Sequence, residues 1–343
     1  MQELIMHSPF WLAPMAGYTD QAMRKVWRHF GRGLFYTEVA VAQGLIRDSA
    51  PSWHLLSCDP DERPVAGHMY GREPEVMAVA AQRIEASGCF AAIDINCGCP
   101  VRKIVAKGAG AALIREPAQI ERIVRAVQSA VSLPVFVKTR IGYEAGKENI
   151  GEIARRVEDA GASALAIHGR YAAHHHKGPA DWEVIARVKQ QLQIPVIGNG
   201  GIKTAQQAVA AMQTYGVDAV MIARGAVGNP WILADAETLW KGATPPTRAY
   251  PELRRVVHWH LRELVAYKTK ENLWRRRAGI DPDRAAALQF RCHLIQYLAG
   301  LEHWADVRRR FSQISCCQHI HEMVDTVIAR QSRPWEDLYP LRG

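Results

Sequence analysis

Two cysteines one residue apart stand in the stretch Asn96-Cys97-Gly98-Cys99-Pro100, on a turn stiffened by proline and loosened by glycine. A thiol there can serve as nucleophile, metal ligand or general acid. The C-x-C spacing is half of a zinc site, and no second Cys/His pair at ligand spacing accompanies it, so no metal is expected. Basic and imidazole groups recur in Lys138-Thr139-Arg140, His168-Gly169-Arg170 and Ala223-Arg224-Gly225, and His68 stands in Gly67-His68-Met69. Cations beside apolar runs argue for an anionic or electron-rich ligand, because an unpaired buried charge is costly; an internal salt bridge is the alternative. Small residues in Ala13-Pro14-Met15-Ala16-Gly17 and Asn199-Gly200-Gly201 let a ligand approach the backbone and leave N–H groups free for a phosphate. His174-His175-His176-Lys177 reads as a solvated loop, and 103–113 as a small basic loop suited to phosphate contact, to closing over substrate or to plain connection.

These groups are far apart in the chain, so a frame must converge them. Through about residue 230 an apolar run, a Gly-rich or polar break and an amphipathic stretch recur eight times. Strands are predicted at 10–13, 34–38, 64–70, 91–95, 134–138, 164–168, 195–198 and 219–222, with helices such as 73–87, 117–131, 149–160, 182–192 and 204–215 between them. Apolar strands alternating with helices predict an α/β fold with a parallel sheet buried on both faces. A closed (β/α)8 TIM barrel and an open doubly wound sheet both fit. The barrel is favoured by the count of eight, and no G-x-G-x-x-G follows an early strand. In a barrel the strand ends share one mouth, with the phosphate grip after the seventh and eighth strands. A Pro- and Thr-rich break at 241–251 then precedes long helical stretches, predicting a barrel domain at 1–243 and a small all-helical C-terminal domain at 251–335.

The 343 residues, 48% hydrophobic and 22% charged, exclude a disordered or low-complexity chain. The net charge of +9 favours an anionic partner without identifying it. Charge is denser in 251–343, with 16 basic and 11 acidic residues. There Arg275-Arg276-Arg277 and Arg308-Arg309-Arg310 neighbour Trp259, Tyr267, Trp274, Tyr297 and Trp304, and cations among flat rings could stack on unpaired bases; a solvated helical face is the alternative. The absence of a leader-like start or a long apolar run predicts a soluble cytoplasmic protein without membrane association, and seven irregularly spaced cysteines predict reduced thiols. The strand-end residues together suggest a phosphorylated planar cofactor facing a substrate that a cysteine protonates. FMN fits that description better than pyridoxal phosphate, for which Lys138 would be the Schiff-base lysine.

At Ala13–Gly17, Asn96–Pro100, Lys138–Arg140, His168–Arg170, Asn199–Gly201 and Arg224-Gly225 the chain resembles the tRNA-dihydrouridine synthase family, in the family's order and over nearly the whole length. The resemblance implies FMN as cofactor, NADPH (or NADH) as electron donor, tRNA as substrate and a monomer. It assigns Cys99, before the proline, as the general acid that protonates C5 of a uracil while C6 receives a hydride. It places Pro14, Met15 and Ala16 along the isoalloxazine and His68, Lys138 and His168 at its polar edge. Asn199, Gly200, Gly201, Ala223 and Arg224 hold the phosphate end, and Asn96 and Arg140 orient the uracil. The chain departs from the family at His68, where glutamine is typical, and at Ala223, often glycine. The helical tail resembles the family's tRNA-recognition domain. A barrel oxidoreductase acting on a free small molecule and a flavin-free RNA-binding scaffold are the competing readings.

Overall fold

The computed structural model describes residues 2–272 and 281–335. Its nine strands are β1 (Phe10–Leu12), β2 (Phe35–Tyr36), β3 (Ala40–Val41), β4 (Val65–Tyr70), β5 (Ala92–Asn96), β6 (Val135–Arg140), β7 (Ala164–His168), β8 (Val196–Asn199) and β9 (Ala219–Ile222). All pair in parallel. Eight of them close a ring in which β1 lies between β9 and β2, and β2 pairs with β4. The ninth, β3, continues the track of β2 along β4: Phe35 and Tyr36 lie beside Val65 and Ala66, Ala40 and Val41 beside Met69 and Tyr70. The single strand expected at 34–38 is therefore broken. At the break the Thr37 hydroxyl oxygen accepts the His68 backbone N–H at 3.0 Å, and the Glu38 carboxylate accepts the Gly17 N–H at 2.6 Å. Side chains replace ladder partners there.

Alternation along the strands divides the apolar side chains between two cores. Inside the ring Trp11, Tyr36 and Phe136 fill the room left by Ala66, Ala92, Ala164, Ala166 and Ala219, and Trp11 stacks on Phe136 with centroids 6.1 Å apart. Large residues against small ones make the interior a packed plug, so a ligand can enter only at the mouth. Outside, residues such as Ile93, Ile95, Val135 and Val137 pack the surrounding helices. Those helices carry their own stops: Pro74–Ala86 and Pro117–Ala130 begin with proline, and Ala205–Tyr215 has a Thr204/Gln207 capping box and ends on Gly216 at φ +62°.

Past the break the helices Tyr250–Asn272, Pro282–Leu298 and Cys317–Ala329 pack together and onto the barrel. His260 is fully buried, 5.2 Å from the Trp27 ring and 3.1 Å from the Tyr297 hydroxyl. Gln289 donates to the Asp20 carboxylate at 2.8 Å. Gly228 has φ +74°, and a Cβ there would lie 2.5 Å from the Gln296 carbonyl carbon, so only glycine lets the helix seat on the loop after β9. The reading of the tail's rings as base-stacking platforms is corrected by this packing. Tyr267 and Tyr297 are buried, stacked on His54 at 4.1 Å and Phe290 at 6.0 Å, while Trp259 and Trp304 are partly buried against the same core. These rings fasten the tail. Arg308, Arg309 and Arg310 are exposed, whereas Trp274 and Arg275 to Arg277 lie outside the described residues. Among the described residues no helix is long and apolar enough to cross a membrane.

Candidate active site

A cavity of about 1300 Å³ opens where the strands end, and all fourteen residues singled out from the sequence line it. They are Pro14, Met15, Ala16, His68, Asn96, Cys99, Lys138, Arg140, His168, Asn199, Gly200, Gly201, Ala223 and Arg224. Parallel strands of one ring deliver their last residues to the same face, which is why segments 200 residues apart in sequence meet.

The cysteine loop is built by its own side chains. Asn96 ends β5 and folds back, its Oδ1 accepting from the N–H groups of Gly98 at 3.0 Å and Cys99 at 2.9 Å. Arg140 ends β6 and donates from Nε to the Gly98 carbonyl at 2.8 Å and from Nη1 to the His175 carbonyl at 2.7 Å, tying the loop to the segment after β7. Cys97 is fully buried and its thiol is pushed up by burial, with the Asp94 charge adding to the effect, which leaves it neutral and out of reach. Cys99 is partly buried and faces the cavity. The expected loop at 103–113 is a backing wall: Ala109 to Ile114 are buried, and the Ala111 N–H donates to the Cys99 carbonyl at 3.0 Å.

Charge at the mouth is one-sided. Lys138, Arg140, Arg170, Lys203 and Arg224 line the cavity, and none of the described lining residues is Asp or Glu. Lys138 donates to Asn199 Oδ1 at 3.2 Å, and Asn199 is itself held by donating to the Met221 carbonyl at 2.7 Å. Burial first, then the neighbouring Arg140, draws the Lys138 ammonium down to about 8. Burial likewise draws the Arg140 guanidinium down to about 10. His168 is pushed far below the usual imidazole range by burial and then by Arg140, Lys138, Arg170 and His176. It is therefore neutral, and Arg170 Nη1 donates to its Nε2 at 2.9 Å, which puts the ring proton on Nδ1. Gly200, at φ +130°, passes so close that a Cβ would lie 2.9 Å from His168 Cδ2 and 2.7 Å from the Ala180 Cβ.

Several lining residues escaped the sequence reading. His175 and His176 belong to an exposed loop, as expected, yet both border the cavity, with His176 stacked on His168 at 5.9 Å. Gln296, Ala299 and Gly300 bring the tail to the rim. Asp94 was not assigned, although a carboxylate inside the apolar strand Ala92–Asn96 was a readable signal. Among the described residues no cluster of three or more His, Cys, Asp or Glu side chains could hold a metal ion.

What the arrangement offers is a thiol poised over a roomy cavity whose far wall is small-residue backbone and whose charge is wholly positive. Anionic ligands with a flat body suit it, because cations without acids are finished only by what binds. The chain as a whole is similar to known proteins. The chain is 36% identical over 328 residues, covering 95% of it and 88% of the relative, to a probable tRNA-dihydrouridine synthase 1 of Synechocystis sp.. It is 36% identical over 304 residues, 88% of it and 87% of the relative, to a tRNA-dihydrouridine synthase B of Pseudomonas aeruginosa. Among solved structures it is similar in fold, at TM-score 0.54 and 12% identity, to histamine dehydrogenase from Rhizobium sp. 4-9, covering 94% of this chain and 63% of that one. A 2-naphthoyl-CoA reductase complex aligns at TM-score 0.52 and 11% identity, over 68% of this chain and 50% of that one. The profile described as Dihydrouridine synthase (Dus) matches residues 11–331, a span that runs from β1 through the cysteine loop and the cationic mouth into the tail. By that match, over nearly its whole length, the chain belongs to the dihydrouridine synthase family.

Proposed function

We propose that the protein reduces the C5–C6 bond of uridines in tRNA, with a flavin, FMN, as cofactor and NADPH or NADH as electron donor. The observation that carries this reading is the junction of one accessible thiol, Cys99, with five cations and no carboxylate in a single described cavity. The residues present fit a flavin phosphate: Gly200 and Gly201 have positive φ and Ala223 is small, leaving backbone N–H groups and Arg224 to grip an anion. Lys138 and the Nδ1–H of His168 supply donors for a ring's polar edge, while Pro14, Met15 and Ala16 give it an apolar bed. The flavin supplies the hydride. Cys99 supplies the proton to C5. Asn96 has both carbonyl lone pairs engaged by the loop, so it meets the uracil through its N–H, at a carbonyl oxygen. Arg140, which also lines the cavity, is the second group assigned to orient the base. The target base must leave the tRNA stack to reach this depth, at a cost of a few kcal/mol. Residues 1–243 would carry the chemistry, and the helical region at 251–335 would hold the rest of a tRNA as a monomer in the cytoplasm.

A visible spectrum of the purified protein, followed by anaerobic addition of NADPH, tests cofactor and donor together. Flavin bands that bleach support the reading. A colourless protein that takes up no added FMN overturns it. With tRNA supplied, Cys99→Ala should retain flavin and its bleaching yet form no dihydrouridine, and dihydrouridine formation by that variant would remove Cys99 from its role.

A further inference from the structure

Asp94 lies inside β5 with no exposed surface, its Oδ2 2.5 Å from Nδ1 of His68, which is itself 2% exposed. A carboxylate in that position is costly unless a fixed donor meets it. The donor's state follows from the far end of the same chain of contacts. Asn96 Oδ1 spends its two lone pairs on the N–H groups of Gly98 and Cys99, so the amide cannot be turned over and its NH2 faces His68 Nε2 at 3.2 Å. An NH2 only donates. His68 Nε2 must then accept, and its proton sits on Nδ1, directed at Asp94, so neither ring nitrogen is left for the cofactor edge where the resemblance placed His68. An imidazolium would oppose N–H to N–H.

We propose that Asp94 is a positioning residue acting through His68: its carboxylate selects the neutral Nδ1–H form of His68, which holds the Asn96 amide in the one orientation that caps the Cys99 loop. The loop's geometry is thus set by a buried charge two residues up the strand. A glutamine at position 68 can do the same work, donating from its NH2 to Asp94 and accepting Asn96 on its carbonyl. The tie to proton delivery rests on the assignment of Cys99 as the acid; the hydrogen-bond chain does not.

Ring-15N histidine NMR of the flavin-loaded protein near neutral pH reads the chain directly, with the His68 signals assigned by their loss in His68→Gln. A neutral ring protonated on Nδ1 is expected; an Nε2–H tautomer or a cation overturns the proposal. The double variant Asp94→Leu/His68→Leu removes the chain without stranding a charge. Iodoacetamide should then modify Cys99, followed by peptide mass analysis, about fivefold or more faster, because the loop opens more often. In the same variant kcat on tRNA should fall about tenfold with KM unchanged, as expected for a displaced reacting group. His68→Gln should keep the alkylation rate within about twofold of the parent. Equal alkylation in all three proteins overturns the proposal. If Cys99→Ala instead still makes dihydrouridine while His68 shows the expected tautomer, the functional reading fails and the chain stands.

Discussion

Two of the places where this molecule buries cations treat them in opposite ways. Behind the barrel wall Arg24 and Glu62, both with fully buried side chains, meet at 2.9 Å. Gln21 and the Asp59 N–H donate to the other Glu62 oxygen at 2.9 and 2.8 Å, and Arg24 also donates to the carbonyls of Thr19 and Ser57. At the mouth Lys138 and Arg140 are desolvated beside one another, with amides and carbonyls for partners and no lining carboxylate. Charges that complete each other hold the helix Gln21–Arg28 to the wall. Charges left incomplete depress one another's basicity and are completed by a ligand.

Glu62→Gln should break the contrast most sharply. It keeps the shape but leaves Arg24 uncompensated, and urea denaturation should show a loss of about 3–5 kcal/mol. A loss below about 1 kcal/mol would place this pair with the exposed ones.

Next comes the carboxylate counterpart at the seam between barrel and tail. Burial raises Asp20 to about 6 and Glu38 to about 7, with Arg24 and Lys268 pulling the other way. A raised carboxyl keeps in the folded state a proton that the unfolded chain releases, so its contribution is full below about pH 4 and is lost as pH rises through about 7. Glu38→Gln should therefore stabilise the fold by about 1–3 kcal/mol near pH 8 and change nothing near pH 4. A difference that does not vary with pH would deny the burial cost.

Lys138→Met should act in the direction opposite to Glu62→Gln. Its amine, drawn down to about 8 from an ordinary value near 10.5, carries a penalty that is full below about pH 8 and relieved as pH rises towards that ordinary value. Removing it should raise the melting stability of the flavin-free protein by about 1 kcal/mol at neutral pH. Flavin retention, read by dialysis and absorbance, should fall. Destabilisation by Lys138→Met would make the mouth cations structural. The smallest effect is expected at the exposed Arg309: Arg309→Glu should stay within about 0.5 kcal/mol in stability. It should lower tRNA affinity and reduce the salt slope by about 1.

The contrast also marks where sequence reading stops. Polar residues at the ends of apolar runs gave the mouth, because in a parallel ring every run ends on the same side. Arg24 and Glu62 carry no such mark: they sit 38 positions apart, one on a helix and one in a short turn, and only packing pairs them. The rings of the tail were legible as aromatic but not as buried, since a helix's pattern does not name the surface that covers it.

By itself the sequence determined the alternation of strands and helices and the break at 241–251, because strand period is a local property that survives without knowledge of partners, and the strand ends together with the family resemblance picked out the fourteen mouth residues. Tertiary structure alone decided that the Glu38 carboxylate meets the Gly17 N–H, that Tyr267 stacks on His54, and that Asp94, His68 and Asn96 join into one chain. The last of these depends on register: His68 lies beside Asp94 because β4 and β5 pair at that offset, and a shift of one residue would put the two side chains on opposite faces of the sheet.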